Sequence, residues 1–155
     1  MKNDILYMKE AFKQAGKAFE KDEVPVGCVI VHNNKIIARA HNQIETLKDP
    51  TAHAEMIAIT QAAASLGSKW LKDCSAYVTI EPCLMCAGAL VLARIKRLIF
   101  GAKDPKTGAL GSVHDILKSK SLNHRFEVVS GVMEKDSSFI MSEFFKGKRV
   151  LGKNH

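Results

Sequence analysis

No apolar run in this chain approaches the roughly 20 residues that a membrane-spanning helix needs, so a bilayer span is not expected. The stretch Met1 to Gly16 interleaves charges with apolar side chains and holds no signal-peptide core. Only four cysteines are present, and without a secretory signal they read as thiols or metal ligands rather than disulfides. These absences predict a cytoplasmic protein in a reducing compartment. No internal repeat, low-complexity segment or linker interrupts the chain, so one domain over residues 1–155 is expected.

Charge is unevenly spread. Residues 1–90 carry ten Lys/Arg and ten Asp/Glu, whereas residues 91–155 carry thirteen and six. The whole excess of +7 therefore lies in the last 65 residues. Binding a phosphate backbone needs such a polarised basic surface. Taken alone, a charge run is more often a solvated lysine-rich face.

Periodicity outlines the elements. Asn3 or Asp4 can cap a first helix with an apolar stripe at Ile5, Met8, Phe12, Ala15 and Phe19, ending near Lys21–Asp22. A strand over Val26–Val31, a turn at His32–Asn34 and a strand over Lys35–Ala40 form an antiparallel hairpin. A polar loop, Asn42 to Pro50, feeds a helix from about Thr51 to Gly67. Ala76–Ile80 is a third strand, and Pro82 opens a helix whose Ala87–Ala93 segment is apolar on nearly all sides. Such a helix is buried or sits at a subunit interface. Strands follow at Lys96–Gly101 and Phe126–Ser130, with a short helix about Val113–Leu117 between them. A last helix from Asp136 to Phe145 leads into a basic tail, about 147–155. Helical links after the hairpin imply mainly parallel pairing in a three-layer α/β/α domain.

Two short motifs carry chemistry. Cys83 and Cys86, three apart at a helix start, project their sulfurs on nearly one face. Cys83 lies where free N–H groups and the helix dipole favour a thiolate. Thirty residues upstream stands Thr51-Ala52-His53-Ala54-Glu55. One imidazole and two thiolates suit zinc, and no fourth protein ligand stands at matching spacing. An open position with a carboxylate two residues from the histidine reads as a hydrolytic site. His53 and Glu55 can share a pocket only at a helix entrance, because mid-helix they would point about 200° apart. A Cys-x-x-Cys alone is also a redox pair, half of a structural zinc site or two packed thiols. Cys28 and Cys74 have no ligand partner at recognisable spacing.

The combination of His-x-Glu with Pro-Cys-x-x-Cys is similar to the zinc deaminase signature. Further stretches resemble bacterial tRNA-specific adenosine deaminases: Pro25-Val26-Gly27, Asn42, Asp49 to Glu55, Glu81 to Ala89, Gly101-Ala102-Lys103-Asp104-Pro105-Lys106-Thr107-Gly108, Asn123-His124-Arg125 and Phe144-Phe145. The likeness runs from about the first helix to the last. It implies a cytidine-deaminase-like fold, a five-stranded mixed sheet with helices on both faces. It implies one zinc per chain, held by His53, Cys83 and Cys86, with Glu55 moving protons. The activity implied is hydrolytic conversion of adenosine to inosine at the wobble position of a tRNA anticodon loop. Asn42 would then hydrogen-bond the base and Val26 pack against it. Asp104 and Lys106 would meet the flanking backbone and ribose, with Phe144, Phe145, Lys148 and Arg149 beside the loop. The resemblance also implies a homodimer paired across the Ala87–Ala93 region, its RNA-binding surface drawing on both chains.

Two alternatives stand beside this reading. One is a deaminase of the same fold acting on guanine, cytosine or deoxycytidylate. The other is a non-catalytic zinc or redox protein that binds nucleic acid through its basic half. The open coordination and Glu55 argue against the second. The charge asymmetry and residues 103–108 favour RNA over a free base.

Overall fold

The computed structural model describes residues 2–153. Its five strands are β1 (Gly27–His32), β2 (Lys35–His41), β3 (Cys74–Ile80), β4 (Arg97–Ala102) and β5 (Glu127–Ser130). They form one sheet in the order β2-β1-β3-β4-β5. β1 is antiparallel to both β2 and β3, while β3–β4 and β4–β5 are parallel. The helices are α1 (Lys2–Glu20), α2 (Ile44–Leu47), α3 (Ala54–Leu66), α4 (Leu84–Leu92) and α5 (Glu134–Lys153). The expected α/β architecture with a five-stranded mixed sheet is what the chain adopts. Among the described residues no helix is long and apolar enough to cross a membrane.

Both faces of the sheet are buried, and the period of two divides each strand between them. Cys28, Ile30, Ala76, Val78, Leu98 and Phe100 share a core with Ala54, Ala58 and Ala62 of α3 and Leu90 of α4. Val29, Val31, Tyr77 and Ile99 face the other way, onto Met8 and Ala11 of α1. The opening hairpin closes through Asn33 and Asn34, at φ of 50° and 62°. A two-residue turn with positive φ matches the twist of the strands it joins, and asparagine tolerates that region.

The helices depart from the sequence reading in instructive ways. Asn3 and Asp4 lie inside the first turn of α1 rather than capping it. The buried face of α1 is Asp4, Met8, Ala11, Ala15 and Ala18, while Ile5 and Phe19 remain 51% and 40% exposed. The cause is a close approach of β1. A Cβ on Gly27 would lie 1.9 Å from the Ala11 carbonyl oxygen and 2.5 Å from the Ala15 nitrogen. Only small side chains fit that contact, so α1 turns its alanines inward. Asp4 is buried with them because Tyr77 donates to Oδ1 at 2.6 Å and Arg97 reaches Oδ2 at 3.1 Å. The short helix expected near Val113–Leu117 is a single 3-10 turn, Ile116–Lys118. The expected basic tail is largely helix, since α5 continues to Lys153. Lys148 ties it back to Asp22 at 2.6 Å, and Phe144 meets Phe19 edge-on at 6.1 Å. Residues 154 and 155 of that tail lie outside the described residues.

Candidate active site

The site forms where α3 and α4 begin. The sequence placed the start of α3 near Thr51, but the helix opens at Ala54, with His53 as an extended N-cap at φ −74°, ψ 151°. The delay has a local cause. The Asp49 carboxylate accepts from the Thr51 N–H at 2.8 Å and the Thr51 hydroxyl at 2.7 Å, making a turn that competes with helix. Asn42 then satisfies the first free amide of α3, its Oδ1 accepting from the Ala54 N–H at 2.8 Å. His53 thus precedes the helix while Glu55 sits in its first turn, and both aim at one pocket. At the other helix start, Cys83 is an extended N-cap, φ −77° and ψ 177°, and Cys86 lies in the first turn of α4.

Nδ1 of His53 lies 3.7 Å from Cys83 Sγ and 3.6 Å from Cys86 Sγ. The three ligand atoms all fall within 4.8 Å of one another. One nitrogen and two sulfurs converging this closely fit a borderline-soft ion such as zinc. Hydrogen bonds within the cluster shift the groups against one another. A hydrogen bond from Cys86, with further bonds from His53 and the Cys86 backbone, brings the Cys83 thiol down to about 4. The same Cys83–Cys86 bond, with burial, pushes Cys86 up. Hydrogen bonding to Cys83 raises His53. Glu55 is 3% exposed, and burial lifts its carboxyl to about 7.

These groups sit in a cleft of about 620 Å³. Of the other residues singled out in the sequence, Val26, Asn42, Asp104, Lys106, Phe145 and Arg149 line it, and Phe144 and Lys148 do not. Phe144 is buried beneath Phe145, with ring centroids 5.3 Å apart. Among the further lining residues, sequence reasoning missed Val24, Ile44, Ile80, Glu81 and Met141. Ile44 belongs to α2, a helix hidden in the supposed loop. Ser138, Met141, Ser142, Phe145 and Arg149 recur at helical spacing along one face of α5. That pattern was visible, but a helix ending at Phe145 concealed its last member.

The MafB19-like deaminase family model matches residues 2–149. The tRNA-specific adenosine deaminase of Bacillus subtilis (strain 168) is 51% identical over 99% of this chain and 98% of its own. A structure solved in a study of A-to-I editing by tRNA:A34 deaminases at the wobble position of transfer RNA superposes with a TM-score of 0.85. It is 43% identical and covers 87% of this chain and 98% of its own. A guanine deaminase structure from Bacillus subtilis is more distant, at TM-score 0.62 and 35% identity over 77% of this chain and 76% of its own. Matched over nearly its full length, the chain belongs to the MafB19-like deaminases and, within them, to the tRNA-specific adenosine deaminase family.

Proposed function

We propose that this protein deaminates adenosine to inosine at the wobble position of a tRNA anticodon loop, as a zinc-dependent hydrolase in a single domain. The observation that carries the reading is Glu55: a buried carboxyl, lifted to about 7, beside an imidazole and two thiols in an open cleft. An acid–base group is most effective when its pKa lies near the working pH.

His53, Cys83 and Cys86 would hold one zinc ion per chain, and the ion would supply the Lewis acidity that makes water a nucleophile near neutral pH. Glu55 takes a proton from water as its oxygen adds to carbon 6 of the purine, and passes that proton to a ring nitrogen. It then shuttles the second proton to the amino group, which leaves as ammonia. Asn42 uses its oxygen on Ala54, so its NH2 is the group it can offer to a base. Val26 supplies an apolar contact beside it. An amino group in a stacked, paired base is out of reach, whereas a loop nucleotide can be turned into a pocket. Asp104, Lys106, Phe145 and Arg149 line the cleft and would meet the flanking nucleotides. Phe144 and Lys148 would support that wall from behind rather than touch RNA.

Two copies are proposed to pair across α4, which leaves Leu84 and Leu92 exposed at 49% and 79%. Apolar side chains presented on one short helix suit an interface. Sedimentation at micromolar concentration should show a dimer, and a fully active monomer would refute it. The cytoplasm, where thiols stay reduced, is the compartment proposed.

The guanine deaminase likeness supports one competing reading, a deaminase of free bases. The deciding experiment incubates the zinc-loaded protein with an adenosine-containing anticodon stem-loop, with free guanine and with free nucleosides. Inosine in the stem-loop, with little turnover of the small molecules, is expected. Equal or faster deamination of a free base or nucleoside would replace the tRNA reading with the small-molecule one.

A further inference from the structure

Glu81 directly follows β3, two residues before Cys83, yet its carboxylate bonds to a downstream segment rather than to the ligand cluster. It is 2% exposed and makes no ion pair among the described residues. Its charge is met by four donors from one downstream segment. Oε1 accepts from the Asp104 N–H at 3.1 Å and from the Ser112 hydroxyl. Oε2 accepts from the Leu110 N–H at 2.9 Å and the Ser112 N–H at 3.1 Å.

That segment is one wall of the cleft. Lys103, Asp104, Pro105, Lys106 and Thr107 all line it. They form a tight turn, in which the Asp104 carboxylate accepts from the Lys106 and Thr107 amides at 2.9 and 3.1 Å. Gly108 packs flat on the carboxylate of Glu81, where a Cβ would fall 2.4 Å from its carboxyl carbon. A loop of this kind has no sheet or helix to fix its backbone, and an acceptor with several lone pairs at its centre does that work instead.

We propose that Glu81 is the positioning residue for the 103–112 loop, setting the wall that reads the nucleotides flanking the reacting base. The inference rests on the RNA reading above. Its consequence is a division of labour between close neighbours in sequence. Cys83 serves the chemical step, and Glu81 serves recognition of RNA by holding the loop. Charge is essential to the role. Glutamine has the same shape but only one oxygen, and its NH2 would confront the amides that now donate to a carboxylate.

The test is Glu81→Gln in the zinc-loaded protein, assayed on an anticodon stem-loop with KM and kcat resolved. KM should rise at least about tenfold, the equivalent of about 1.4 kcal/mol, while kcat stays within about threefold. Zinc content should be unchanged. Hydrogen exchange without RNA should speed up at the Asp104, Leu110 and Ser112 amides. Ser112→Ala removes one donor of the four, and Gly108→Ala presses on the carboxylate from outside. Both should show the same split more weakly, and they keep the test available if Glu81→Gln does not fold. A fall in kcat with KM unchanged, or a loss of zinc, would overturn the proposal, because Glu81 would then act through Cys83. So would unchanged exchange in the loop. Failure of the RNA reading itself would look different: the unmodified protein would make no inosine in any RNA, whatever the loop amides do.

Discussion

Replacing Glu55 with glutamine should separate what this side chain contributes to catalysis from what it costs the fold. Burial raises the Glu55 carboxyl from its ordinary value of 4.5 to about 7. An acid with a raised folded-state pKa binds its proton more tightly in the native protein than in the unfolded chain. Stability therefore falls as pH rises between the unfolded and folded values, and stays lowered above them. Over the window from 4.5 to about 7, the penalty is under about 1 kcal/mol at pH 5 and about 3 kcal/mol at pH 8. Glutamine has the same size and no charge to bury. In metal-free protein, urea unfolding should thus find Glu55→Gln little changed at pH 5 but more stable by about 3 kcal/mol at pH 8. In zinc-loaded protein the same variant should lose about 10² to 10⁴ in rate, or about 2.7 to 5.4 kcal/mol of barrier, with zinc content intact. A variant that keeps more than about a tenth of the rate would refute the proton-transfer role. A stability difference that does not grow from pH 5 to pH 8 would refute the buried-charge argument. Both effects together would place the site among those where function opposes stability.

Three further outcomes follow from the geometry. Elemental analysis should find about one zinc per chain, falling sharply in Cys83→Ala and Cys86→Ala, because three ligands leave little redundancy. Gly27→Ala should lower stability by about 3 kcal/mol or more in urea denaturation, since the new Cβ meets helix backbone at 1.9 Å rather than a side chain that can swing aside. Arg149→Ala should weaken stem-loop binding and flatten its log–log salt slope by about 0.7, whereas Asn42→Ala should lower rate and leave the slope unchanged.

The His-Cys-Cys cluster that could hold a metal was legible because each half of it is local. His53 with Glu55, and Cys83 with Cys86, are neighbours in sequence, and a helix start converts that closeness into convergence in space. The strands were legible because both sheet faces are apolar and the hairpin turn is spelled by Asn33 and Asn34. The face of α1 was not, because Phe12 and Phe19 outweigh Ala11 and Ala18 in any apolar pattern. What turns the helix is Gly27, in another element. The same limit hid the role of Glu81, whose hydrogen-bond partners stand 23 to 31 residues downstream. Phe144 and Phe145 show it at its narrowest. Adjacent residues on a helix point about 100° apart, so one of the pair lines the cleft and the other is buried. Nothing in the dipeptide says which.

His53 and Cys83 hold the two positions at which a helix ordinarily places Ser, Thr, Asp or Asn. Both side chains are turned toward a common point between the two helices instead. An ion held there would do more than chemistry, because it would join two chain segments thirty residues apart at the place where each begins to wind. Taking it away would loosen α3 and α4 together, at the ends that present Glu55 and Cys86. In that sense the metal would be a shared knot in the backbone's own architecture, and the reaction would be run by the fastening that keeps both helices wound.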